Sequence, residues 1–286
     1  MFDELFDRLL GRKTRGGTIA GMFLRRAVVD ARAAGHAEVD VEHVLRSLVA
    51  LIDVTKMLAR RGISAEDITA IVEQLLAERR VSEQLGPEPP LSARLKTVCD
   101  RSVVGDRIQL RTFIENLAAA LPRELTFARA PLDATASEIA TFFDAPLSKT
   151  PDGHLTFAAW SPQMAGVAGL MQRLSDGKFR GWGMGIHTFF VALLGNKAIH
   201  AAFKARGVDT VAILEQVGAA LTATYGSVTF EPPQDHVPSI TPGLYALFIR
   251  AERYAAEDRT HVTLQHVLAA FHDEPEYATA IERLAG

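Results

Sequence analysis

Two ten-residue phrases in this chain are nearly the same. Residues 39–48 read VDVEHVLRSL, and residues 262–271 read VTLQHVLAAF. In both phrases a residue able to cap a helix start is followed by apolar residues at helical spacing. A sequence in which the same capped-helix pattern occurs twice indicates a chain built from copies of one helical unit. The repeat therefore restricts the fold more than any other feature of the sequence.

The first copy predicts four helices over about residues 19–80. The segment MFLRRAVVDARAAGH is helical and ends at Gly35, and Asp40 then caps the helix of the phrase through its carboxylate. A short helix ends at Gly62, where glycine suits the cap of a helix C-terminus. Ser64 begins the last helix, whose apolar residues form a single stripe.

Three further copies follow the same order, at about residues 91–121, 161–225 and 241–286. The third begins at Ser161 with Pro162 and the fourth at Thr241 with Pro242, each a cap followed by a first-turn proline. In the third copy KAIHAAFKARGVDTVAILEQV matches TKMLARRGISAEDITAIVEQL of the first almost element for element. The second copy is the weakest match.

This order of elements resembles the Clp repeat, two copies of which form the N-terminal domain of the Clp/Hsp100 unfoldases. The resemblance implies an all-α protein with two tandem Clp N-domain-like domains, each a pseudo-twofold pair of helical repeats. The domains are expected at residues 1–121 and 161–286, with an irregular linker region at residues 122–160 that includes a candidate helix around SEIATFFDA. The ATPase modules of those unfoldases have no counterpart in the sequence.

Composition bears on location and partners. The formal net charge is −3, from 31 basic and 34 acidic residues, which gives no electrostatic footprint for nucleic acid. The N-terminus lacks the pattern of a signal peptide, and no stretch approaches the roughly 18 apolar residues of a membrane span. We therefore expect a cytoplasmic protein without nucleic-acid or membrane partners. Cys99, the only cysteine, shares a helix face with Leu95 and Val98 and is expected to be buried.

The sequence matches none of three catalytic or nucleotide-binding motifs: the P-loop, the nucleophile elbow and the zinc-protease motif. The nearest string to a P-loop, GRKTRGGT, places Gly17 where the phosphate-binding lysine belongs. There is neither a G-x-S-x-G elbow nor an H-E-x-x-H motif. The spacing of His261, His266 and His272 does not place all three on one helix face. We expect no catalytic residue, metal site, nucleotide site or cofactor, and interpret His43 and His266 as structural residues just inside a helix start.

Glu42 is a candidate partner-binding residue through the resemblance. In ClpC-type relatives the glutamate of the Glu-His phrase in each repeat helps to hold a phosphorylated arginine of a substrate. Only the first repeat keeps it here, because Arg111, His187 and Gln265 stand in the same slot of the others. The pattern favours a first-turn helix acid over a ligand for Glu42, and a paired acidic pocket cannot be assembled as in those relatives.

The glycine-rich stretch KFRGWGMG is the second candidate partner-binding feature. It places Arg180 and Trp182 in a predicted loop, where a large amphipathic ring is typical of a contact surface. The alternative is that the ring folds back onto the helical core. The N-terminal segment FDELFDRLL also has an apolar stripe, which suits packing on its own domain better than docking on a partner or a membrane surface.

The function that these observations favour is a non-enzymatic binding protein. It would be an adaptor, substrate receptor or decoy related to Clp-type proteolysis, with protein or peptide segments, Clp ATPase or protease components, or their substrates as partners. The alternative is a Clp-repeat fold reused as a scaffold or regulatory subunit unrelated to proteolysis. An enzyme with an unrecognised site is the remote alternative.

Overall fold

The computed structural model describes residues 19–79, 89–105, 107–144, 157–176, 185–225 and 240–285. The chain divides into two compact units, residues 1–145 (unit 1) and 146–286 (unit 2). Within the described residues the secondary structure is α-helical except for one 3-10 turn, one two-stranded sheet and two isolated β-bridges. The predicted all-α fold class is confirmed.

The first repeat of unit 1 forms four helices, as the sequence predicts. They are α1 (Ile19–Ala33), α2 (Val41–Val49), α3 (Ile52–Ala59) and α4 (Ala65–Ala77). Asp40 caps α2 and Ser64 caps α4, each through its side-chain oxygen. Gly62 follows α3 at φ 75°, a left-handed conformation that costs glycine little.

The remainder of unit 1 begins with a shorter version of the repeat. A hairpin, with Gly105 at φ 65° in its turn, separates two helices there. The elements are α5 (Ala93–Arg101), β1 (Val103–Val104), β2 (Arg107–Ile108), α6 (Leu110–Ala119), a 3-10 turn (Arg123–Leu125) and α7 (Thr126–Phe143).

The first half of the region expected to be an irregular linker, residues 122–160, is helical well beyond the candidate helix around SEIATFFDA. Helix α7 occupies residues 126–143 and packs on α6 and α3. Leu132, Ile139 and Phe143 recur along its buried face, and burial of this stripe outweighs the cost of Pro131 in the second turn. Arg61 of the first repeat donates a hydrogen bond to the carbonyl oxygen of Ala134, at 3.1 Å.

Unit 2 repeats the order of elements. Its helices are α8 (Pro162–Asp176), α9 (Ile186–Gly195), α10 (Lys197–Ala205), α11 (Thr210–Tyr225), α12 (Pro242–Glu257), α13 (Leu264–His272) and α14 (Pro275–Ala285). Gly207 follows α10 at φ 77°, just as Gly62 follows α3. Arg206 donates to the carbonyl oxygen of Leu284 at 3.3 Å, in the manner of Arg61 and Ala134.

Among the described residues, one parallel β-bridge joins the two repeats within each unit. In unit 1 it pairs Val39, before α2, with Leu91, before α5; in unit 2 it pairs Trp160, before α8, with Val262, before α13. The phrase of one repeat thus lies against the start of the other repeat.

Both cores are apolar and lie between the helices. Unit 1 buries Cys99 beside Leu95 and Val98, which confirms the prediction of a buried thiol. Unit 2 is built around aromatic rings, among which Trp160 contacts Phe189 and Phe248. Both tryptophans and all four tyrosines of the chain lie after residue 145, so intrinsic fluorescence reports on unit 2, and the thiol of Cys99 reports on unit 1.

Leu48 and Leu193 occupy equivalent positions of their repeats and are 1% and 0% exposed. We expect truncation of either to alanine to lower the free energy of unfolding of its own unit by about 2–5 kcal/mol. Urea unfolding measures both losses. Unfolding of unit 1 in Leu48→Ala is followed by the reactivity of the Cys99 thiol, and unfolding of unit 2 in Leu193→Ala is followed by tryptophan fluorescence. Each variant is the control for the other, and equal loss in both units from either change would contradict the expectation.

Candidate functional site

The phrase helix of the first repeat, α2, begins in a reciprocal capping box. The side chain of Asp40 accepts a hydrogen bond from the amide of Val41 at 2.8 Å. In return, His43 Nδ1 accepts a hydrogen bond from the amide of Asp40 at 3.0 Å. The interpretation of His43 as a structural residue is confirmed, because the ring satisfies a backbone amide at a helix start.

His43 is also half of a buried histidine pair. Its Nε2 lies 2.8 Å from Nδ1 of His36, and since its Nδ1 accepts from Asp40, Nε2 carries the proton and donates to His36. Burial lowers the pKa of His43 to about 3, with His36 and Arg79 adding to the effect. Burial, together with Arg79 and Arg46, also lowers the pKa of His36. Both rings are neutral near pH 7.

The other side of the same helix start carries an ion cluster, formed by Asp40, Glu42, Arg79 and Arg94. Glu42 is 2% exposed, and its two carboxylate oxygens accept from Arg94 at 2.5 Å and from Arg79 at 2.6 Å. Asp40 accepts from Arg79 at 2.7 Å and from Arg94 at 2.8 and 3.0 Å. The hydroxyl of Ser92 donates to Asp40 at 2.7 Å.

The cluster fastens the two repeats of unit 1 to each other. Arg94 and Ser92 belong to the second repeat, whereas Asp40, Glu42 and Arg79 belong to the first. Burial alone would raise the pKa of Asp40, but hydrogen bonds from Arg94, Ser92, the amide of Val41 and Arg79 outweigh it and hold the pKa well below its usual range. Asp40 therefore remains ionised at any pH at which proteins are ordinarily handled.

The slot of Glu42 is uncharged or solvated in the other repeats. Arg111, His187 and Gln265 are each the second residue of their phrase helix, as Glu42 is of α2, so the predicted register holds. Arg111 and Gln265 are exposed, and Arg111 pairs with Glu115 on its own helix at 2.8 Å. His187 is partly buried, and burial lowers its pKa. Among the described residues, the Glu42 slot is a buried charged site in the first repeat alone.

The fourth repeat keeps the histidine of the phrase but has no counterpart of the ion cluster around it among the described residues. His266 Nδ1 accepts from the amide of Thr263 at 3.0 Å, and its Nε2 lies 2.9 Å from the carboxylate of Asp258. In the described part of unit 2, a buried ion pair lies elsewhere, between Arg250 of α12 and Glu274, which stands between α13 and α14. The structural role predicted for His266 is confirmed.

Several features predicted from sequence lie outside the described residues. These are Arg180 and Trp182 of the glycine-rich stretch, and the N-terminal segment up to residue 18. Trp160, by contrast, is a core residue, 4% exposed, with its indole N–H donating to Glu252 at 2.9 Å. The described part of the chain has no group of three or more histidine, cysteine or acidic side chains placed to hold a metal ion. No helix in that part is both long and apolar enough to cross a membrane.

Sequence reasoning identified Asp40 as a cap and Glu42 as a first-turn acid, and it missed Arg79, Arg94, Ser92 and His36. Arg79 and Arg94 lie 39 and 54 residues from Asp40, so no local pattern connects them. One signal was present. Ser92 caps α5 as Asp40 caps α2, and Arg94 stands two residues after its cap just as Glu42 does, with the opposite charge.

Comparison with known proteins confirms the resemblance for the first unit. Residues 20–120, from α1 to α6, match the family model of the Clp repeat N-terminal domain. Domains of this family bind substrates or adaptors and are not catalytic, so a protein-interaction role follows for this stretch. No curated protein and no solved structure matches the chain.

Proposed function

We propose that the chain is a non-enzymatic adaptor, substrate receptor or decoy in Clp-type proteolysis, acting in the cytoplasm. The observation that carries the proposal is the match of residues 20–120 to a protein-binding domain family. Its partners are protein or peptide segments, among them Clp ATPase or protease components and their substrates.

Unit 2 is part of the proposal as a second domain of the same kind, covering residues 161–286. Three shared features support it. They are the capping box with a histidine at the start of one phrase helix (α2 and α13), the parallel bridge between repeats, and the bond from Arg206, just before Gly207, to α14, which repeats the bond from Arg61 to α7. Two such domains in one chain offer two surfaces to a partner, and linked surfaces bind more tightly than either alone when both can be engaged.

The experiment is a degradation assay with a purified Clp ATPase, its protease and a fluorescently labelled unfolded protein. An adaptor or receptor is expected to raise the rate of degradation, and a decoy is expected to lower it, in each case saturably with added chain. Leu48→Ala and Leu193→Ala show which unit carries the effect, since each weakens one unit. An unchanged rate, together with no binding to ATPase, protease or substrate, would refute the proposal and favour a scaffold unrelated to proteolysis.

Phosphorylated arginine is expected to bind the wild-type chain weakly or not at all. The acidic pair, Asp40 and Glu42, is already filled by Arg79 and Arg94, and the slot lacks an acid in the other three repeats. Calorimetric titration with phosphoarginine checks this, with the Glu42→Ala variant as the control. Saturable heat from the wild-type chain that disappears in the variant would contradict the expectation.

A further inference from the structure

The hydrogen bonds of the His36–His43 pair fix the number of protons that it holds. Nδ1 of His43 accepts from the amide of Asp40 at 3.0 Å, so the single proton of this neutral ring is on Nε2, 2.8 Å from Nδ1 of His36. Because Nδ1 of His36 is then an acceptor, the proton of that ring is on its Nε2. The pair therefore holds two protons, and the acceptor nitrogen of each ring is already in use.

A third proton cannot be added without the loss of one of these hydrogen bonds. On Nδ1 of His43 it faces the amide N–H of Asp40, and the capping box of α2 opens. On Nδ1 of His36 it faces the N–H of His43, and the bond between the rings is lost. His36 is 7% and His43 is 1% exposed, so water does not replace the lost partner while the rings stay in place.

The cations around the pair also oppose a third proton. Arg79, which follows α4, acts against a positive charge on both rings, and Arg46 of α2 acts against it on His36. Helix α1, which packs on α2, ends with a further cation, Arg32, in its last turn. The rings therefore take up a proton far more readily once they have left this environment.

The acidic groups at the start of α2 do not offset these cations, because they are paired. Asp40 favours a charged His43, but its carboxylate is bound by Arg79 and Arg94. The carboxylate of Glu42 is bound by the same two arginines. Glu38, between α1 and α2, lies 3.6 Å from Nη1 of Arg79. A proton on the pair thus has no unpaired carboxylate among these three groups.

The pair lies close along the chain to the contact between the two repeats. The junction consists of the bond from the amide of Val39 to the carbonyl of Pro90 and the bond from the amide of Ser92 to the carbonyl of Val39, both at 2.8 Å. Val39 stands between His36 and Asp40, whose side chain and amide are the two groups bonded to His43. A bond lost at His43 therefore frees one end of the short segment that carries the junction.

We propose that the His36–His43 pair is a pH-sensitive switch: uptake of one proton by the pair opens the start of α2 and the junction, while α6 and α7 stay folded on each other. The proton remains on the ring nitrogen that has lost its hydrogen bond, and no covalent bond changes. The inference goes beyond the proposed function and does not depend on it. It assigns to unit 1 a second state, open between the repeats, that acid populates.

The test is amide hydrogen exchange of the full chain, expressed as protection factors, which correct for the effect of pH on the intrinsic rate. The junction amides are those of Val39 and Ser92, and the reference amides are those of Leu117 in α6 and Ile139 in α7. We expect the junction amides to be less protected than the reference amides. Their exchange is also expected to depend less on added urea, because a local opening exposes little surface.

Protection of the junction amides is expected to fall roughly twentyfold from pH 7 to pH 5, since the ring of His43 titrates at 6.5 when open and stays neutral at both pH values when closed. The control is the double variant His36→Gln/His43→Gln, in which neither side chain titrates. Glutamine at position 43 keeps the bond to the amide of Asp40. In this variant we expect the protection of the junction amides to be independent of pH.

Three outcomes would overturn the proposal. Equal protection of junction and reference amides at every pH and urea concentration would show that the junction opens only when the whole unit unfolds. Unchanged protection of the junction amides from pH 7 to pH 5 would show that no proton is taken up on opening. A double variant that keeps the twentyfold fall would place the titrating group elsewhere. The first two outcomes need only the wild-type chain, so they decide the question even if the double variant does not fold.

Discussion

We expect Asp40→Ala to lower the free energy of unfolding of unit 1 by about 3–5 kcal/mol, as the loss of one partner from a buried ion pair does. The carboxylate caps α2, accepts from the hydroxyl of Ser92 and binds both arginines of the cluster. Since domains are stable by only about 5–15 kcal/mol in total, such a loss leaves unit 1 close to unfolding. Urea unfolding followed by the reactivity of Cys99 measures it.

Thr263→Ala is the matched control for Asp40→Ala. Thr263 caps α13 at the equivalent place in the fourth repeat, with a histidine in the reciprocal position and without arginine partners among the bonds described. We expect it to cost unit 2 about 1 kcal/mol, the usual value of a helix cap. Equal losses in the two variants would show that the ion cluster contributes nothing beyond the cap.

Unit 1 is expected to lose stability steadily as the pH falls below about 6.5. Folding lowers the pKa of His43 from 6.5 to about 3. Between these pH values the His43 ring binds a proton in the unfolded chain but not in the folded chain, so protonation favours unfolding. A shift of this size corresponds to roughly 3–6 kcal/mol across the whole window. His36 acts in the same direction, and Asp40 adds to the loss below pH 3.8, its unfolded value.

The measurement is urea unfolding of unit 1 at pH 7, 6, 5 and 4, with a thiol reagent that reacts in acid. His43→Gln is the control, because glutamine at this position of a capping box still bonds the amide of Asp40 but does not titrate. Its free energy of unfolding is expected to vary less with pH than that of the wild-type chain. A wild-type value that is constant from pH 7 to pH 4 would contradict the argument.

Local signals predicted the order and the limits of the helices well. Asp40, Ser64 and Thr241 cap the helices that the sequence assigns to them, and Gly62 has the left-handed backbone expected of it. These features act within one turn of the chain, so a sequence shows them directly. The sequence suggested a helix only around SEIATFFDA, because Pro131 interrupts the apolar stripe of α7 nearer its start.

The sequence predicted only part of the candidate site. Glu42 was identified, but its burial depends on two arginines that tertiary structure brings to it from α5 and from the end of α4. A first-turn acid on a solvated helix face and a buried acid between two guanidinium groups have the same local sequence. What distinguishes them is the packing of the second repeat on the first, which no spacing rule reports.

The parallel bridges have a consequence for how the chain folds as it is synthesised. The amide of Val39 bonds the carbonyl of Pro90, and the amide of Ser92 bonds the carbonyl of Val39, both at 2.8 Å. A nascent chain that has emerged only as far as α4 lacks these partners and the arginine of α5. Bringing the start of the second repeat to Val39 costs chain entropy, and this cost comes before the contacts form. The first repeat therefore lacks these hydrogen bonds until the start of the second repeat has been synthesised.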